Sequence, residues 1–146
     1  MSLQQRLHFI TLGVSDLAQS RSFYEQGLGW TASERGKSSG VVYFPLQNGL
    51  SLALFPKDAL ATEVGLAEAS SGFSGTVLSQ NVGHLEEVVQ LLHLAEQAGG
   101  RILKPAEDKA WGGHVGYFAD LDGYVWEVVW NPHFELTPDG QTILPE

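Results

Sequence analysis

A motif that occurs twice at one spacing limits the folds open to this chain. Tyr43-Phe44, three residues, then Asn48-Gly49 is matched by Tyr117-Phe118, three residues, then Asp122-Gly123. A strand-like run follows each copy, Leu50 to Phe55 in the first and Tyr124 to Trp130 in the second. Asn-Gly and Asp-Gly supply the positive φ angles that tight β-turns demand, so each copy reads as strand, turn, strand.

The repeat extends upstream of both hairpins. Phe9 to Val14 is a short apolar strand, Ser15 or Asp16 can cap a helix from Leu17 to about Gln26, and Gly27 and Gly29 end it. In the second copy Thr76-Val77-Leu78 opens a strand, and Leu85, Val88, Val89, Leu92 and Ala95 fall on one face of a helix that ends at Gly99-Gly100. A further strand is expected at Ile102-Leu103, with its counterpart at Trp30. Each copy is therefore strand, helix, strand, strand, strand, and the expected fold is α+β with two βαβββ modules forming a curved mixed-sheet cup. The expected organisation is a single domain over 1–146: module one at about 7–55, a linker at 56–75, module two at about 76–130 and an irregular tail at 131–146. Pro, Ser and three glycines mark the linker, and Asn131-Pro132 and Thr137-Pro138-Asp139-Gly140 mark the tail.

Charge and residue usage narrow the chemistry. Seventeen acidic against eight basic residues give a formal charge of −9, with no basic run, so nucleic acid and anionic membranes are poor partners. The absence of cysteine removes disulfides, thiolate nucleophiles and Cys-ligated metals. Apolar stretches are strand-sized and the first six residues lack a signal pattern, which predicts a soluble cytoplasmic protein.

Phe9-Ile10-Thr11-Leu12-Gly13-Val14-Ser15-Asp16-Leu17, Ser22-Phe23-Tyr24, Leu28-Gly29-Trp30, and Phe118 to Gly123 leading into Trp126-Glu127-Val128 together resemble the glyoxalase/bleomycin resistance/extradiol dioxygenase superfamily, the vicinal-oxygen-chelate proteins. The resemblance is specific for the scaffold and weak for the reaction. In metal-dependent members, it implies, each module gives one ligand from its first strand and one from its last, and the four meet in the cup. Only Glu127 among the matching positions carries such a side chain; the others are Phe9, Ala53 and Thr76 or Val77. His8 stands one residue from the expected position, so strand alternation turns it to the other face and it reads as an exposed histidine beside an edge strand.

Glu127 shares its strand face with Val125 and Val129, which points it into an apolar cup that offers no positive charge to pair with it. The hairpin admits registers of two kinds, with paired residue numbers summing to 243 or to 242 or 244. One sets Gly116 opposite Glu127, with His114 on the same face one diagonal away; the other gives that face to Tyr117. Phe9, Thr11, Ser51, Ala53 and Phe55 form the wall of the first half of the cup, and Trp111-Gly112-Gly113 is a loop whose glycines let backbone approach a ligand. Trp126 and Trp130 point to the opposite face, and His84 and His93 are exposed. The expected catalytic residues are Glu127 and His114, with Phe9, Thr11, Ala53, Phe55, Trp111, Tyr117 and Glu127 binding the ligand. No cofactor is expected. A divalent metal, if one is used, would fall to Glu127 and His114. The expected function is binding of a small organic ligand in a largely apolar cup without the usual four-ligand metal site. Alternatives are a divalent-metal-dependent lyase, isomerase or dioxygenase, and a resistance protein that sequesters an antibiotic. The resemblance also implies a homodimer.

Overall fold

The computed structural model describes residues 7–34, 40–64, 74 and 76–143. The first module begins with β1 (Phe9–Val14) and α1 (Leu17–Ser22), whose cap is Asp16: its carboxylate accepts from the Gln19 N–H at 3.0 Å. A π-helical turn over Phe23–Gly27 extends the helix before β2 (Val42–Pro45) and β3 (Ser51–Pro56). The second module comprises β4 (Val77–Asn81), α3 (Glu86–Gln97), β5 (Arg101–Asp108), β6 (His114–Ala119) and β7 (Val125–Trp130).

Two mixed sheets result, in the orders β1-β3-β2 and β4-β7-β6-β5. Their registers correspond residue by residue. Tyr43 pairs with Ala53 as Tyr117 pairs with Glu127, and Thr11 lies beside Ala53 as Ser79 lies beside Glu127. Gly49 and Gly123, at the equivalent turns, have φ of 79° and 86°, the left-handed conformation expected of the repeated motif.

Side chains alternate across a strand, and in these registers odd-numbered residues share one face of each sheet in β1 to β4, β6 and β7. The even-numbered ones build the core. Leu12, Val14, Val42, Phe44, Leu52 and Leu54 of the first sheet join Phe118, Trp126 and Val128 of the second in one cluster, with Phe23 and Tyr24 and with Val88, Leu92 and Ala95 of α3. The two sheets thus turn their even faces toward a shared interior. A close approach locks it: a Cβ added at Gly27 would lie 2.5 Å from the Ala98 Cβ, so only glycine lets the end of the first helix rest on the end of α3.

Four sequence expectations need correction. No strand forms at Trp30, because the π-turn uses the backbone differently: Trp30 N–H donates to the Tyr24 carbonyl and Ala32 N–H to Glu25, while the Trp30 ring turns inward onto Tyr24, Phe44 and Trp126. The expected linker begins with a helix, α2 (Lys57–Val64), whose Lys57 and Leu60 pack on Gly13; residues 65–73 and 75 lie outside the described residues. The tail contains a short hairpin of β8 (Glu135–Leu136) and β9 (Thr142–Ile143), its turn closed by the Thr137 hydroxyl and carbonyl. On α3, Val88, Leu92 and Ala95 are buried, whereas Leu85 and Val89 are exposed. No helix among the described residues is long and apolar enough to cross a membrane.

Candidate functional site

The β6–β7 register sets Tyr117 directly opposite Glu127. The Tyr117 hydroxyl donates to Glu127 Oε2 at 2.8 Å, and the hydroxyl of Ser79, the parallel neighbour on β4, donates to Oε1 at 3.0 Å. Both carboxylate oxygens therefore have a donor, and the expectation of an unpaired carboxylate in an apolar wall is corrected: the half-buried group sits in a small polar cluster on the odd face of the second sheet. Partial burial and the carboxylate it donates to both push the Tyr117 phenol above its ordinary value. Ser79 escaped the sequence reading, although alternation from Val77 places it on the Glu127 face.

His114 is not part of this cluster. It lies opposite Trp130 on the even face, and its Nδ1 is 2.9 Å from Asp108 Oδ1. The rearranged metal pair of Glu127 and His114 consequently has its members on opposite faces of one hairpin. The sheet registers make Val77 the counterpart of Phe9 and Glu127 the counterpart of Ala53, which settles the four positions at which the resemblance implies metal ligands as Phe9, Ala53, Val77 and Glu127. Only Glu127 has a donor atom, so the side chains present do not fit the family's metal; among the described residues no group of three His, Asp or Glu comes together.

The first-sheet wall is built as the alternation requires. The Phe9 and Tyr43 rings meet edge to face, with centroids 5.8 Å apart, and Ala53, neighbour to Tyr43 in the register, is 2% exposed. Tyr43 belongs to this wall although the sequence reading omitted it. Thr11 is exposed on the same face, and Phe55 is at the end of β3 from which α2 departs. Trp111 is 47% exposed, and its ring lies over Gly113, where a Cβ would collide with it; the glycine accommodates the chain's own indole.

Phe9, Thr11 and Ala53 stand on one sheet, Tyr117 and Glu127 on the other, and among the described residues no strand of one sheet pairs with a strand of the other. With the even faces committed to the shared core, each odd face is a half-cup, the first covered at its Gly13 end by Lys57 and Leu60 of α2. At the edges of these half-cups Phe9 is 54% and Val77 42% exposed. A cavity of about 610 Å³ lies away from Glu127. It lies between the modules beside Trp30, Phe44 and Trp126, and of the Glu127 cluster only Ser79 reaches it.

The motif residues around Asp120 are structural. The Tyr24 hydroxyl donates to Asp120 Oδ2 at 2.6 Å and accepts from Trp126 Nε1 at 3.1 Å, while the N–H groups of Asp122 and Tyr124 donate to Oδ1. Ser15 N–H bonds to the Asp122 carboxylate and the Tyr124 hydroxyl to the Gly13 carbonyl, tying the second hairpin turn to β1 and the residue after it.

Comparison with known proteins agrees with this scaffold. Residues 6–128 match the model of the Glyoxalase/Bleomycin resistance protein/Dioxygenase superfamily. A glyoxalase-related enzyme from Fulvimarina pelagi is 35% identical, with a TM-score of 0.87 over 98% of this chain and 100% of that one. A glyoxalase/bleomycin resistance protein/dioxygenase family enzyme from Burkholderia phytofirmans PsJN, 18% identical, superposes with a TM-score of 0.74 over 84% of this chain and 96% of that one, a likeness of fold alone. No curated protein matches in sequence. This chain belongs to the glyoxalase/bleomycin resistance protein/dioxygenase superfamily.

Proposed function

We propose that the protein is a cytoplasmic small-molecule binder of this superfamily that works without the four-ligand metal centre, anchoring a small organic ligand at Glu127. The observation that carries this is the Ser79–Glu127–Tyr117 cluster at the place where relatives put a metal-ligating carboxylate. With both oxygens already accepting one hydrogen bond, the carboxylate keeps lone pairs for a ligand N–H or O–H, and it is oriented before the ligand arrives.

The half-cups suggest how such a ligand is enclosed. β1 and β4 are edge strands, and a two-fold partner would lay the Phe9–Tyr43–Ala53 wall of one protomer against the partner's Glu127. A homodimer then holds two equivalent sites, each apolar on one side with a polar anchor on the other.

Glu127→Gln keeps the shape and removes the charge. In the variant the Tyr117 phenol should titrate closer to its ordinary value, as read by tyrosinate absorbance. Small amines and alcohols that bind the wild type in a ligand-observed NMR screen should bind the variant about tenfold more weakly. Unchanged affinity for every such ligand would place the binding site elsewhere.

A further inference from the structure

We propose that the cleft between the two modules is a second binding site, built for a neutral, flat organic molecule with an amide-like edge. The cavity measures about 610 Å³, within the range of small-molecule sites. Its inner wall is aromatic. The Trp30 and Phe44 rings meet with centroids 5.8 Å apart, and Trp30 meets Trp126 at the same distance with the planes at 81°. Gln47, Gln80 and Asn81 line it with polar side chains, joined by the hydroxyl residues Thr31, Ser79 and Thr142.

None of the lining residues among the described ones is charged. A charged ligand would leave water with no counter-ion, whereas side-chain amides present a donor and an acceptor in one plane and suit a ligand that does the same. An aromatic wall favours a ligand ring laid against it. A recess of about 90 Å³ adjoins the cleft, sharing Trp30, Gln80 and Trp126 and walled by Leu28, Leu91, Leu94 and Val128.

The cleft is separate from the Glu127 face. Gln80 and Trp126 are on the even side of their strands, so the two sites lie on opposite faces of the second sheet, with Ser79 and Asn81, odd residues of the edge strand β4, at the border common to both. The C-terminal hairpin closes the cleft from outside. Gly140 and Thr142 line it, and Gly140, with φ of 86°, passes so near the turn of the first module that a Cβ there would collide with the Gln47 carboxamide.

Quinolin-2-one and quinoline-2-carboxylate share a ring system and differ in charge, and Trp30 and Trp126 report occupancy through their fluorescence. Quinolin-2-one should quench saturably, with the carboxylate about tenfold weaker. Gln80→Ala and Asn81→Ala, substitutions on an exposed edge strand, should each weaken quinolin-2-one roughly fivefold, and Glu127→Gln should leave it within about twofold. Lack of saturation up to about 5 mM, equal affinity for the two probes, or indifference to both amide substitutions would overturn the proposal. Loss of binding in Glu127→Gln would also overturn it, by assigning the ligand to the Glu127 face; failure of the Glu127 reading alone leaves the cleft affinities intact.

Discussion

Tyr24 has no exposed surface, and its hydroxyl stands between the Trp126 indole N–H and the Asp120 carboxylate, so one oxygen satisfies two buried groups from the other module. Burial and the Asp120 charge push the Tyr24 phenol far up, which keeps it a donor at any working pH. Burial also raises the Asp120 carboxyl, against the bonds from Tyr24 and from the Tyr124 and Asp122 N–H groups that pull it down. A carboxyl raised in the folded state contributes stability that is fully present below its unfolded value, about 3.9, and is lost as pH rises through the folded value. Tyr24→Phe strands the indole N–H and removes one of the bonds that hold Asp120 down. It should cost about 1–3 kcal/mol near neutral pH. The deficit should be larger at pH 7 than at pH 4, because Asp120 then rises further; urea melts at the two pH values check this, and equal deficits would refute it. The motifs that hold Tyr24 and Asp120 are plain in the sequence, but their partnership across 96 positions is not, since nothing local in either segment refers to the other.

The elements meet through small residues as well as large ones. Gly27 lets the π-turn close on the end of α3, and a Cβ there would press on Ala98. Gly27→Ala should destabilise the fold by about 1–3 kcal/mol, the usual cost of overpacking, and Gly27→Ala with Ala98→Gly should recover much of the loss. Thermal melts of the two singles and the double complete the cycle; additive losses would show that the two residues do not press on each other. Most of the strands and the helices α1 and α3 could be read from hydrophobic periodicity, caps and turn residues. The strand expected at Trp30 could not. Its aromatic run is as compatible with a strand as with a chain turning inward, and what decides is the core space beside Phe44 and Trp126, which is supplied from elsewhere in the chain.

For the whole molecule, the shared even-face core leaves two half-cups facing outward, each with an exposed apolar side chain on an edge strand. With one chain at 15.9 kDa, light scattering at micromolar concentration should give twice that mass. Phe9→Asp, which sets a charge in the proposed interface and disturbs no buried contact of the core cluster, should shift the protein to monomer. A wild type that is monomeric at about 100 μM would remove the dimer and with it the enclosed Glu127 site.

The repeat, the βαβββ order of the second module, the glycine turns and the poverty of ligands at the family's metal positions are all legible in the chain before it folds. All of these follow from residue type and local spacing. The tertiary structure decided the face on which each residue acts. A shift of one residue in the β6–β7 register would exchange His114 for Tyr117 beside Glu127, and the two registers differ in no local signal. Packing breaks the tie: with Phe118, Trp126 and Val128 committed to the shared core, the odd residues of the hairpin take the other face, and Tyr117, Ser79 and Glu127 come together there.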